Sequence, residues 1–397
     1  MSMSKAKAIA VFDISSSSVG GAHALVEQVV PSRKDAVQQS RTKVTLLVQE
    51  RRDSGLEDEI NIERFVEDTA KALEVVINHV RTADVHHPEL IQVVLASPWY
   101  STHTRTITYS KTTNFTCTQR LIDELIEKEI AYLLKQPAEN GEAFGSDSKV
   151  VEQQLSHIML NGYETADPYG KKTRSLELTL TVTLVPAIVV ERFTSIIRRS
   201  YGDRTINVTT GPYAAYVSLR DNGGVADNCV VIDVGEEVTD VAFVKNGNFL
   251  YQHSFPVGSY ELFRSVSSLT GSMVEARALL EAYRLKKLTA THERTIKKSL
   301  AAFSAVWQHE LQAVVEAGQY GFTFPSEWYV IADARFQEIF TSLIANDAFL
   351  SQSAGVEQIR AVFVDPLHTS AIVTVASADN PDTSLAVGAL FAERLLY

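Results

Sequence analysis

One motif that occurs twice constrains this chain more than any other feature. Ile9-Ala10-Val11-Phe12-Asp13-Ile14-Ser15 and Val230-Val231-Ile232-Asp233-Val234-Gly235 are each an apolar run that ends in aspartate and enters a turn. A short continuous apolar run bounded by turn residues reads as a buried strand. The two aspartates stand 220 residues apart, which predicts two similar halves whose turns face each other. Small-residue turns let backbone N–H groups approach an anion, and each Asp can hold magnesium through water. Facing turns of this kind make a phosphate clamp. A single strand–Asp–turn is a common structural device, so the reading rests on the pair.

The rest of the pattern is mixed α and β. Thr42–Val48 alternates as a strand, and Asn61 offers an N-cap to a helix striped with Phe65, Val66, Leu73, Val76, Ile77 and Val80. Leu90–Ala96 reads as a strand. Thr118 caps a helix carrying Leu121, Ile122, Leu125, Ile126, Ile130 and Leu133, stopped by Pro137. Leu176, Leu178, Leu180, Val182 and Leu184 alternate with polar residues, so one face of that strand is buried. Residues 90–185 therefore read as an α+β insertion. Val238–Val244 and Phe249–Phe255 flank Lys245-Asn246-Gly247-Asn248, a hairpin signal because Asn-Gly accepts positive φ. Residues 259–318 read as helical, and a last helix runs from Ser384 to Leu396.

Charge and cysteine usage exclude several classes. Lys and Arg number 37 against 48 Asp and Glu, a net charge of −11, whereas a dedicated nucleic-acid binder needs a basic face. Cys117 and Cys229 are too few for a disulfide framework or a zinc site, and they fit a reducing cytoplasm. The apolar run Ala8–Phe12 is too short for a signal peptide, and no window reaches the roughly 18 apolar residues of a membrane span.

Other motifs are thin. Gly170-Lys171-Lys172-Thr173 lacks the upstream glycine of a P-loop. His86-His87 reads as a solvated pair, Lys286-Lys287 and Lys297-Lys298 as solvated helix faces, and Trp99 as a core aromatic at a strand end.

The paired motifs resemble those of the actin-like ATPase superfamily, and most of all its bacterial branch that includes the division protein FtsA and the type IV pilus protein PilM. Asp13 to Val19 is similar to the family's D-I-G-T-S-x-V, with Ser15 in place of glycine. Asp233-Val234-Gly235-Glu236-Glu237-Val238-Thr239-Asp240 is similar to D-I-G-G-G-T-T-D. Gly162–Gly170 and the strand after it resemble a segment of the FtsA insertion. Ser384-Leu385-Ala386-Val387-Gly388-Ala389 resembles the second connecting helix. The resemblance implies a two-lobed α/β actin-like fold, a duplicated ribonuclease H-like ATPase fold, with an inserted α+β SHS2-like subdomain. The corresponding boundaries are 1–89 and 186–226 for the first lobe, 90–185 for the insertion, 227–258 for the second lobe, 259–324 for a helical subdomain, and 325–397 for the adenosine region and return helix.

It also implies ATP or ADP with magnesium as cofactor. Asp13, Ser15, Ser16, Ser17, Ser18, Asp233, Gly235, Glu236, Asp240, Asp333 and Ala334 would form its site, with Asp13 and Asp233 holding the metal. The departures from the family pattern point to degenerate binding. Glu236 and Glu237 replace two glycines, and carboxylates turned inward would repel a triphosphate. Asp333 and Ala334 stand where T-G-G lets a purine pack on bare backbone. Gly211-Pro212-Tyr213-Ala214-Ala215 replaces E-P-x-A-A and so lacks the water-orienting carboxylate. At most slow ATP hydrolysis is expected, or a pseudo-ATPase. The expected role is a cytoplasmic, FtsA-like scaffold that forms homo-oligomers or filaments and contacts a division-ring protein. The alternatives are a PilM-like assembly protein bound to a peptide of an inner-membrane pilus protein, and an active ATPase or kinase. FtsA relatives carry a C-terminal amphipathic helix, and this chain ends at Tyr397 directly after its last predicted helix. Either such a helix lies beyond the sequence given or a partner supplies the membrane contact, so contact is expected only peripherally or through a partner, and no nucleic acid is expected.

Overall fold

The computed structural model describes every residue except 1, 4, 31–40, 55–61, 136–146, 223, 319–323, 365–371 and 377–379. After the two-residue β1 (Ser2–Met3), the first Asp-ended run forms β2 (Lys7–Ile14), which turns into β3 (Ser18–Val30) and β4 (Arg41–Asp53). Then come α1 (Ile62–Ala83), β5 (Leu90–Leu95), β6 (Ser101–Thr116), α2 (Gln119–Leu133), β7 (Ser148–Leu160), β8 (Tyr163–Glu164) and β9 (Lys172–Pro186). The chain returns through α3 (Ala187–Tyr201), β10 (Thr205–Thr210) and α4 (Gly211–Asp221). The second run forms β11 (Cys229–Val234), followed by the hairpin β12 (Thr239–Lys245) and β13 (Asn248–Phe255) and the helices α5 (Ser259–Thr270), α6 (Met273–Arg284) and α7 (Ala290–Gly318). Last are β14 (Glu327–Ile331), α8 (Gln337–Ala345), α9 (Ala348–Ala354), β15 (Arg360–Phe363), β16 (Ile372–Val375) and α10 (Thr383–Leu396).

The duplication expected from the sequence is visible in the pairing. β2 lies antiparallel to β3 and parallel to β5, while β11 lies antiparallel to β12 and parallel to β14. One sheet has the order β10-β5-β2-β3-β4-β16 with β1 on β3, and the other has β13-β12-β11-β14-β15. Each Asp-ended strand sits inside its sheet, so both turns open at strand ends where the two sheets meet. The helices α4 and α10 hold the sheets together: Val94 of the first and Val231 of the second share a core with Ala215, Val387 and Phe391. A Cβ on Gly388 would lie 2.6 Å from Val11 Cγ1, so only glycine allows α10 so close to β2. Asn246 and Gly247 have φ of 50° and 79°, as the hairpin reading requires.

Two expected boundaries shift. Leu90–Leu95 was grouped with the insertion, but β5 is buried along its whole length and lies between β10 and β2 in the first sheet. A run buried on both faces belongs in the middle of a parallel sheet. The separate four-stranded sheet β6-β9-β7-β8 begins at Ser101, and α2 packs on it through Ile122, Leu176 and Leu178. Likewise β16, grouped with the second lobe, runs parallel to β4 in the first sheet. Thr118 caps α2 by accepting from Leu121 N at 3.2 Å. The expected cap Asn61 lies outside the described residues.

Candidate functional site

The two turns line a common cavity of about 330 Å³ between the sheets, shared by Asp13, Ser15, Ser18, Arg51, Asp233, Gly235, Glu236, Asp333 and Asp382. The first turn is closed on itself: Ser15 N donates to Ser18 O at 3.0 Å and Ser18 N donates to Ser15 Oγ at 3.2 Å. Trp99, buried and stacked on Phe65 with centroids 4.5 Å apart, donates its Nε1–H to Ser15 O at 2.9 Å. The core reading of Trp99 therefore holds, and its indole braces the turn.

Arg51 dominates the first-lobe side. Asp13 pairs with Gly20 across β2 and β3, and Gly20 pairs with Arg51 across β3 and β4, so the three residues form one row. A Cβ on Gly20 would lie 2.6 Å from Arg51 Nη2. Because glycine leaves that place open, the guanidinium folds back over β3 and meets Asp13 Oδ2 at 2.7 Å. The same guanidinium donates to Asp382 Oδ2 at 2.7 Å and to Ser18 Oγ at 3.0 Å. Asp382 also caps α10 by accepting from Leu385 N at 3.1 Å.

The two glutamates of the second turn diverge. Glu237 forms an ion pair with Arg264 on α5. Glu236 reaches across the cavity, where its Oε2 accepts from Ser15 Oγ at 2.9 Å and its Oε1 from Ser18 Oγ at 3.0 Å. Backbone groups of the second turn are also engaged: Gly235 N donates to Val238 O at 3.0 Å and Glu237 N to Ser16 Oγ at 3.3 Å. A carboxylate therefore occupies the hydroxyls that a phosphate would use, and a guanidinium neutralises the aspartate that would hold magnesium. In this arrangement the residues do not fit a magnesium–triphosphate.

Burial pushes the Asp13 carboxyl up to about 6 against the opposing pull of Arg51. Burial works to raise Asp382 too, but Arg51 overrides it and holds that group below its ordinary value. Asp233 is raised well above its ordinary 3.8 by burial and then by Asp240, Asp13 and Glu236. Its carboxylate has no hydrogen-bond partner among the described residues, and Oδ2 would lie 2.6 Å from a Cβ on Gly211. Gly211 is thus small because Asp233 fills the space in which a glutamate side chain would start.

A group raised on folding stabilises fully below its unfolded value, and that contribution is lost as pH rises towards the folded one. Asp233→Asn is therefore expected to raise stability by about 1–2 kcal/mol at pH 8, a gain that fades as pH falls towards the ordinary 3.8. Urea unfolding of both proteins across this range checks it; a loss of stability at pH 8 would contradict the assignment.

Seven of the expected site residues line the one cavity: Asp13, Ser15, Ser18, Asp233, Gly235, Glu236 and Asp333. Ser16 and Ser17 are buried behind it. Asp240 is also outside the lining, because Ser97 and Ser254 cover it and both donate to its Oδ1, Ser97 at 2.6 Å. It ties β12 to the end of β5 rather than facing a ligand. Asp333 sits exposed at the rim, ion-paired with Arg335. Ala334 opens the 3-10 turn Ala334–Phe336, and its side chain lies outside the described residues. The sequence reading missed Arg51, Asp382 and Glu152. Glu152 of β7 accepts from Thr210 N at 2.7 Å and Thr210 Oγ1 at 2.9 Å, joining the inserted sheet to the start of α4. A glutamate in an otherwise ordinary strand carries no signal of that contact.

No protein-family model and no curated protein matches this chain. Among solved structures, it is similar to one described as the PilM-PilN type IV pilus biogenesis complex, with a TM-score of 0.59 at 13% identity over 96% of this chain and 97% of that one. Weaker likenesses are the ethanolamine utilization protein EutJ from Carboxydothermus hydrogenoformans, with a TM-score of 0.44 at 12% identity over 98% and 90% of the two chains, and a non-polymerising MamK mutant bound to AMPPNP, with a TM-score of 0.40 at 11% identity over 99% of each. The chain has the two-lobed actin-like ATPase fold.

Proposed function

We propose that this chain is a partner-binding scaffold of the actin-like fold whose nucleotide cleft is latched by its own side chains. The observation that carries the reading is the Glu236 carboxylate on the Ser15 and Ser18 hydroxyls, beside Arg51 on Asp13. Lobes bridged in this way need no bound nucleotide to stay together. The likeness to the PilM-PilN complex supports a PilM-like assembly role, with a membrane-protein partner, over the FtsA-like division scaffold that the motifs suggest.

Asp233 favours a second reading. Its unpartnered carboxylate faces the cavity, so a nucleotide that displaced Glu236 could bring magnesium to it through water, as in a slow ATPase. Isothermal titration of the purified chain with Mg-ATP and Mg-ADP separates the two. The latched scaffold is expected to give no heat of binding at millimolar nucleotide. Micromolar binding that Asp13→Ala abolishes would overturn it in favour of the second reading.

A further inference from the structure

The corner at which α6 passes into α7 is charged against the rest of the molecule. Arg284, Lys286, Lys287, Arg294, Lys297 and Lys298 stand within fifteen residues, and Glu293 is the one acid among them. This segment carries +5 in a chain of −11, which leaves −16 on the remainder. Glu281 and Glu338 line a small cavity with Arg284, which therefore marks the edge of the patch. Glu293 lies 2.7 Å from Lys297, an exposed pair within one helix and hence a weak one. Lys286, Lys287, Arg294 and Lys298 are exposed and make no ion pair among the described residues. Arg294 and Lys298 follow the start of α7 by about 6 and 12 Å at the usual helical rise, so the cations form one compact patch.

The turn is a Schellman ending: Lys286 N donates to Tyr283 O at 2.9 Å and Lys287 N to Ala282 O at 2.8 Å. Its left-handed position usually takes glycine, yet Lys286 stands there with φ of 55°. Leu285, between Arg284 and Lys286, is 44% exposed. On α7 the face opposite the buried Ile296, Ser299 and Phe303 runs Arg294, Lys298, Ala301 and Ala305, all exposed, and Val306 next to it is 48% exposed. No Asp or Glu occurs from Arg294 to His309. The surface is therefore basic at the corner and apolar directly behind it.

We propose that this corner docks on an anionic lipid bilayer, with its lysines and arginines at the headgroups, Leu285 inserted between them and the outer face of α7 lying along the interface. Anionic headgroups answer the cations, and the layer beneath them takes the apolar side chains. A nucleic-acid backbone or a carboxylate-rich peptide supplies the charge without that apolar depth. Lysine stems lie on the apolar layer while their ammonium groups stay in water. An anionic surface repels the remainder of the chain, so charge turns this corner towards it. The patch does not depend on whether the cleft binds nucleotide, so this inference and the latched-cleft reading can fail separately.

The test is flotation of the full chain with phosphatidylcholine vesicles, either alone or containing about one-third phosphatidylglycerol. The expected result is binding to the anionic vesicles alone, weakening as salt is added. Each basic residue at such a surface contributes about fivefold, so Lys286→Gln/Lys287→Gln/Lys298→Gln should weaken binding on the order of 100-fold. These three side chains are exposed, and thermal melting of the variant should match the parent. Cys117 and Cys229 are buried, so Leu285→Cys directs an environment-sensitive fluorophore to position 285. Its emission should brighten and shift to the blue on anionic vesicles. No vesicle binding, equal binding to neutral vesicles, or an unchanged affinity in the triple variant would each overturn the proposal. Binding of single-stranded RNA or of polyglutamate that the triple variant abolishes, with no response to vesicles from the label at 285, would reassign the corner to nucleic acid or to an acidic protein.

Discussion

Arg51→Met is expected to destabilise the protein by about 3–5 kcal/mol, because it leaves Asp13 and Asp382 buried without their shared cation. Methionine keeps much of the volume, so the loss reports charge rather than a cavity. Arg51→Lys should recover only part of it. A single ammonium cannot reproduce the planar fork that serves Asp13, Asp382 and Ser18 together. The deficit should shrink in acid: Arg51 lowers the Asp13 carboxyl, so without it burial holds that group higher still, and falling pH protonates it and removes one of the orphaned charges. Denaturant unfolding at pH 8 and pH 5 measures both effects. If Arg51→Met unfolds within about 1 kcal/mol of the parent at pH 8, Arg51 is a peripheral ion pair and does not hold the cleft.

Glu236→Gly is expected to open the cleft and raise Mg-ATP affinity by about 10- to 1,000-fold. A unit negative charge about 4 Å from a phosphate costs on the order of 4 kcal/mol at an effective dielectric of 20. Each 1.4 kcal/mol recovered is about tenfold in affinity. Part of that gain is offset because the glycine turn is more flexible, while in the apo protein the Ser15 and Ser18 hydroxyls lose an acceptor that phosphates would replace. The apo protein should accordingly be less stable by about 1–3 kcal/mol. Glu236→Gln separates the two causes: it keeps the side chain but removes the charge, and should give an intermediate affinity. Titration calorimetry on the three proteins decides. Were neither variant to bind better than the parent at millimolar nucleotide, the Glu236 carboxylate would not be what closes the site.

The two predictions converge on one arrangement, a fixed cation beside Asp13 and a fixed anion on the serine turn. Together they satisfy the groups that the sequence motifs assign to magnesium and phosphate. Such an arrangement holds the two lobes together by the protein's own contacts.

Much of the architecture was legible because strands and helices write their environment into local periodicity. The runs that end in Asp13 and Asp233 are continuous and apolar because both faces of β2 and β11 are covered. The alternation at Leu176–Leu184 marks a strand with one buried face, and Asn246-Gly247 marks the hairpin. The two turns were found from the aspartate near the end of each buried strand and the small residue that opens each turn, Ser15 in the first and Gly235 in the second.

Arg51, Asp382 and the direction of Glu236 were not legible in this way. Arg51 meets Asp13 because two strand registers place Gly20 between them, and that row of three exists only once β2, β3 and β4 have paired. Asp382 arrives on the same guanidinium from the start of α10, far along the chain, after β16 has brought the chain back to the first sheet. Whether Glu236 faced into the cleft or out of it was open from the motif alone. The choice followed from where Ser15 and Ser18 stand across the gap, while Arg264 on α5 drew Glu237 the other way. Local pattern specifies which face of an element is buried; which charges end up together depends on how the two sheets are set against each other.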